Sequence, residues 1–130
     1  MNSGTKGDIS EAKIMARFLE RGYIVLVPWG DNQRYDLALD LNGQLIRVQC
    51  KTGRLQNGCV VFPTRSIQYK TRKSIHYKND AELFAAYSPD FDCVFLIPVQ
   101  DVGERAVALR YGRPKKGGKY PIRWADDYRF

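Results

Sequence analysis

The chain has 130 residues, of which 21 are Lys or Arg and 14 are Asp or Glu, giving a formal charge of +7. That length suits one domain with its own core, and that charge points to a polyanionic partner, nucleic acid above all. No apolar run approaches the ~20 residues that cross a bilayer, so no membrane partner is expected.

The N-terminal MNSGTKGD lacks the apolar centre of a secretion signal. Cys50, Cys59 and Cys93 are odd in number and have no zinc spacing. They argue for a reduced, intracellular protein of the cytoplasm or nucleoid.

In chain order, Asp8-Ile9-Ser10-Glu11 has the form of a capping box, Asp8 as N-cap and Glu11 as its reciprocal partner. The apolar residues of EAKIMARFLER then make a wide helical stripe that Gly22 would end. YIVLVP (23–28) reads as a buried strand closed by Pro28. Residues 35–51, YDLALDLNGQLIRVQCK, read as a β-hairpin, because Asn42-Gly43 suits the two positive φ angles of a type I′ turn.

A two-residue loop sets Leu41 opposite Gln44, so facing residues have numbers summing to 85. Asp36 then faces Gln49, with Lys51 two residues further on. Alternation puts Asp36, Gln49 and Lys51 on one face, and Leu37, Leu39, Ile46, Val48 and Cys50 on the other. Facing Cβ atoms lie roughly 5 Å apart, close enough for two side-chain oxygens to share a divalent cation beside an ammonium. On the residues alone, Asp36 and Lys51 serve equally as a cross-strand ion pair, and Glu11 equally as a cap. Asp40 shares the face but sits nearer the turn, where solvation accounts for it.

Further along, GCVVF (58–62) reads as a strand pairing with the second hairpin arm, and 63–78 shows no period. NDAELFAAYSP (79–89) reads as a short helix closed by Pro89, and CVFLIPV (93–99) as a buried strand. AVALRY (106–111) and PIRW (121–124) read as a last ribbon around the loop 112–119. Helix, strands, helix, then strands makes an α/β fold with a mixed sheet flanked by helices, in a single domain over 1–130.

With a helix glutamate, a strand aspartate, a hairpin and Q-x-K in this order, the chain resembles the PD-(D/E)xK nuclease superfamily. SEAKIMARFLERGYIVLVPWGDNQRYDLALD (10–40), RVQCKTGR (47–54) and AELFAAYSPDFDCVFLIPV (81–99) carry the likeness, which is strongest to the group I intron-associated homing endonucleases. The resemblance implies a restriction-endonuclease-like αβββαβ core and Mg²⁺-dependent cleavage of double-stranded DNA, with Mn²⁺ an alternative ion. It implies metal ligation by Asp36, the Gln49 side-chain oxygen, the Cys50 carbonyl and Glu11, and assigns Lys51 to the attacking water.

Two positions depart from the pattern. Tyr35 stands for proline, and Gln49 stands where a carboxylate is usual, which removes a negative charge from the metal site. The alternatives are therefore a Holliday-junction resolvase-like nuclease and a DNA-binding protein that has lost catalysis.

YKTRKSIHYK (69–78) interleaves basic and aromatic residues as a phosphate-tracking segment would, through Lys70, Arg72, Lys73 and Lys78. His76 within it has no partner at catalytic spacing. RPKKGGK (113–119) offers Lys115, Lys116 and Lys119 at a ribbon tip, and a solvated hairpin end is its plain alternative. Arg34 and Arg54 flank the hairpin site as further phosphate contacts. One active site cuts one strand, so a double-strand break implies a homodimer or homotetramer. Tyr120, Trp124 and Tyr128 would serve either that interface or the core.

Overall fold

The computed structural model describes the backbone of residues 1–30, 33–68, 73–76, 80–103, 105–112 and 121–130, and the side chains of these except 66–68 and 73–76. Helix α1 runs Ser3–Glu20, earlier than the capping-box pattern suggests. Its N-cap is Asn2, whose side chain accepts from the Thr5 N–H at 2.9 Å. Asp8 and Glu11 therefore lie inside the helix, and neither is needed as a cap. Asn2 satisfies the free amides of the first turn instead. Ser10, Ile14 and Phe18, spaced four apart, form the buried stripe.

Five strands make the central sheet: β1 (Ile24–Leu26), β2 (Leu37–Leu41), β3 (Gln44–Thr52), β8 (Leu83–Ser88) and β9 (Cys93–Pro98), in the order β1-β2-β3-β8-β9. The intervening strands are β4 (Arg54–Gln56), β5 (Cys59–Pro63), β6 (Arg65–Gln68) and β7 (Lys73–His76), and β10 (Ala106–Arg110) follows β9. The β2–β3 hairpin has the expected register, with Leu37 opposite Val48 and Leu41 opposite Gln44. Asn42 and Gly43 hold φ angles of 54° and 90°, and Asp40 accepts the Gly43 N–H at 2.7 Å, so this carboxylate supports the turn.

Four elements differ from their sequence reading. β1 is an exposed edge strand rather than a buried one, and Ile24 is 59% exposed. Residues 83–88 of the expected helix 79–89 form β8, parallel to β3. Phe84, Ala85, Ala86 and Tyr87 are all buried, two on each face, and a strand covered on both faces loses the alternation that would announce it.

Strand β5 does not pair with β3, whose two edges are taken by β2 and β8; it joins a second sheet, β10-β5-β4. The chain leaves β3 at Gly53, where a Cβ would stand 2.5 Å from Val60 Cγ1. The closing ribbon is absent as an antiparallel pair among the described residues. Strand β10 pairs with β5, and Arg110 makes a single parallel bridge to Trp124.

Two apolar layers hold these parts. Ile14 and Phe18 of α1 pack on Leu37, Leu39, Val48, Ala85, Tyr87 and Val94. On the opposite face, Phe84, Ala86, Phe95 and Ile97 pack on Val60, Phe62, Val107 and Leu109 of the second sheet. The result is a mixed central sheet with a helix on one face and a small sheet on the other. No helix among the described residues is long and apolar enough to cross a membrane.

Candidate active site

Asp36 immediately precedes β2, and its N–H donates to the Val48 carbonyl at 2.9 Å, so Asp36 and Leu37 both stand against Val48 and the register steps by one residue there, as at a β-bulge. The expected pairing of Asp36 with Gln49 is not made; Gln49 and Lys51 lie further along β3, both half-buried. In the parallel pairing Gln49 lies beside Phe84 and Lys51 beside Ala86, so both share the face opposite α1. The apolar half of the predicted partition holds, because Leu37, Leu39, Ile46, Val48 and Cys50 all belong to the layer under α1.

The Cys50 N–H donates to Asp36 Oδ2 at 2.7 Å. Burial pushes the Asp36 carboxyl above its ordinary range, against the Cys50 amide and the Lys51 charge, which both pull it down. Burial also drives the Cys50 thiol far up, with the charges of Asp36 and Glu11 adding to the effect. This sulfur is a neutral packing group, not a nucleophile.

Glu11 comes to the same place from the helix. Ser10, only 2% exposed, shares a 2.5 Å hydrogen bond with the Thr52 hydroxyl, which pins α1 against the end of β3. The next helix residue, Glu11, then joins Asp36 on the wall of a cleft of about 450 Å³, together with Asp8, Pro28, Gly30 and Tyr35. Burial raises the Glu11 carboxyl, and the neighbouring Asp36 and Asp8 charges raise it further. Like charges forced into one partly desolvated cleft are stabilised by a cation placed between them.

The donors suit a hard divalent ion. Asp36 and Glu11 bring carboxylate oxygens to the wall of this cleft, whose lining does not include Gln49, Cys50 or Lys51. Among the described residues no three His, Cys, Asp or Glu side chains gather as a metal cluster.

Elsewhere, Arg34 donates to Asp80 Oδ2 at 3.1 Å and Arg54 Nη2 donates to Gln56 Oε1 at 2.8 Å. Lys73 lies in β7 by its backbone. Lys70, Arg72, Lys78, Lys115, Lys116, Lys119 and Tyr120 lie outside the described residues. Tyr128 packs against the core and Trp124 is exposed. The sequence reading missed two contributors. Asp8 looked like a cap and instead adds charge to the cleft. The Ser10–Thr52 bond left one signal, a serine on the apolar stripe of a helix.

The family model of the PD-(D/E)XK endonucleases matches residues 1–130. No curated protein matches the chain. Among solved structures the chain is similar to I-Ssp6803I, described as a bacterial homing endonuclease. The identity is 27% over 99% of this chain and 89% of that one, with a TM-score of 0.75. A mixed sheet with one helix against it, a hairpin bearing Asp36 and Lys51, and a family match over the whole chain lead to one conclusion: the chain belongs to the PD-(D/E)XK endonucleases and is a nuclease.

Proposed function

We propose that the chain is a divalent-metal-dependent endonuclease for double-stranded DNA, site-specific in the manner of group I intron homing enzymes. The observation that carries this reading is the cleft in which Glu11 and Asp36 converge, with the Lys51 charge acting on Asp36. The similarity to a bacterial homing endonuclease supports the site-specific part.

Asp36, Gln49 and the Cys50 carbonyl would hold Mg²⁺ or Mn²⁺, with Glu11 binding a water of its shell. A bound ion of this kind neutralises the scissile phosphate and lowers the pKa of water. Lys51 orients the attacking water and stabilises charge as it develops on the phosphate. Asp36, held by the Cys50 amide, keeps its geometry without rearrangement, and this is what a preorganised ligand contributes. Gln49 lowers the site's negative charge, so weaker metal affinity follows than for a carboxylate there.

Cutting both strands calls for two copies, as a homodimer or homotetramer. The apolar edge strand β1, with Ile24 and Leu26 exposed, supports such pairing. Three free thiols, Cys50, Cys59 and Cys93, support an intracellular setting.

Selection of cleaved sites from a random duplex library with Mg²⁺ tests the reading. Recovery of one pseudo-palindromic site supports it. Failure to cut any duplex in Mg²⁺ or Mn²⁺ rejects it.

A further inference from the structure

Trp29 is 98% exposed, the most exposed of the large apolar side chains after which only Met1 comes near. Tryptophan is on average among the more buried residues, and its ring carries roughly 150–250 Å² that folding or binding would cover. Its position is set by its neighbours. Pro28 and Gly30, on either side, both line the cleft that holds Glu11 and Asp36. Pro28 fixes its own φ, and Gly30 turns the chain at a φ of 95°, so the indole stands in solvent on a tight bend whose two flanking residues belong to the cleft wall, without lining the cleft itself.

We propose that Trp29 is a stacking wedge that inserts against the bases of the substrate duplex beside the scissile phosphate. The inference rests on the nuclease reading above and adds a DNA contact to it. A phosphodiester seated at Asp36 brings its neighbouring nucleotides past this bend, where Trp29 is the largest exposed apolar group, beside the smaller Val27. Apolar wedges of this kind unstack a base step and bend the duplex, and an aromatic face accepts any base. Pyrimidine–purine steps open most easily, so the wedge also favours cleavage next to TA or CA/TG steps. A second copy of the chain is the other surface that would cover an indole. Contiguity with the carboxylate cleft favours DNA, and the exposed apolar residues of β1 already offer an edge to a protein partner.

The test uses the full chain with Trp124→Phe, so that Trp29 is the sole tryptophan. Its fluorescence is titrated with a random-sequence duplex in Ca²⁺, and Trp29→Ala and Trp29→Phe are compared by duplex affinity and by cutting of supercoiled plasmid in Mg²⁺. Trp29 is so exposed that neither substitution disturbs the core. The proposal expects the emission to be quenched and shifted on binding. Trp29→Ala should bind roughly 10- to 100-fold more weakly, the range for loss of one stacked base, and Trp29→Phe should retain most of the affinity.

Unchanged emission at saturating duplex, or unchanged affinity in Trp29→Ala, overturns it. So does a Trp29→Ala protein with altered oligomeric mass and intact duplex affinity, which would assign the ring to a protein interface. The two readings fail separately. A chain that binds with the fluorescence change but never cuts in Mg²⁺ or Mn²⁺ sinks the nuclease assignment and keeps the wedge. A chain that cuts normally as Trp29→Ala does the reverse.

Discussion

Asp36 is where stability and activity pull apart. Its carboxyl is raised by burial, which means that the folded state binds the proton more tightly than the unfolded chain does. The sign follows directly: stability is greatest below the ordinary carboxylate range and falls as pH rises through the raised folded value. Glu11 has the same sign for the same leading cause, with Asp36 and Asp8 adding to it. Asp36→Asn keeps an oxygen to accept the Cys50 amide and removes the buried charge. Its melting temperature is therefore expected to rise at neutral pH, by about 3–6 °C for each kcal/mol relieved, while cleavage is lost. Calorimetry with and without Mg²⁺ checks this, since the ion should raise the wild-type midpoint and leave Asp36→Asn unmoved.

Ser10→Ala probes the positioning of Glu11 from the other side. It leaves the Thr52 hydroxyl without its partner, and a loss of about 1–3 kcal/mol is expected, read as a lower urea midpoint. Turnover should fall with it, because the helix is no longer pinned beside β3. The strand placement of Gln49 and Lys51 was legible because it follows from a turn and a period of two. Ser10 and Asp8 were not, because their roles depend on where a helix lands on a sheet.

At the scale of elements, the β2–β3 hairpin needs only local information, and its register and turn agree with the sequence residue for residue. Gly43→Ala, forcing a Cβ onto a φ of 90°, is expected to destabilise by about 1 kcal/mol or more, seen as a lower melting temperature. The elements that misled were those whose partners are distant in sequence. Strand β8 is covered by α1 on one side and by the second sheet on the other, so Ala85, Ala86 and Tyr87 form a run with no alternation, indistinguishable from a short helix.

The pairing of β5 with β10 rather than β3 follows from a parallel β3–β8 ladder that nothing near β5 reveals. At the second edge of the central sheet, β9 is covered by the C-terminal segment, with the Phe130 N–H donating to the Val94 carbonyl and the Leu96 N–H to the Tyr128 carbonyl. Arg17 and Arg21 stack on the Phe130 ring, which joins that segment to α1. Removing Phe130 is expected to lower the melting temperature and leave the cleft chemistry intact, as cleavage below the new midpoint would report.

For the whole molecule, a charge of +7 and a carboxylate-lined cleft divide the work between holding a polyanion and acting on it. Phosphate contacts release counterions, so the logarithm of duplex affinity should fall linearly with the logarithm of salt concentration. Replacing both Lys115 and Lys116 by alanine is expected to reduce that slope by about two if each meets a phosphate. The fold class, the β2–β3 hairpin and the family resemblance were all available from the chain, because they rest on local patterns in a fixed order. The second sheet was not, because it is assembled from strands far apart in sequence.

The central claim is that Asp36 and Lys51 act together as a metal-assisted phosphodiesterase site, and plasmid cleavage by wild type and Lys51→Ala tests it most directly. With Mg²⁺, wild type should nick or cut supercoiled DNA, and Lys51→Ala should bind the same DNA with unchanged affinity and leave it intact. Equal cleavage by Lys51→Ala, or none by wild type in either Mg²⁺ or Mn²⁺, would contradict it.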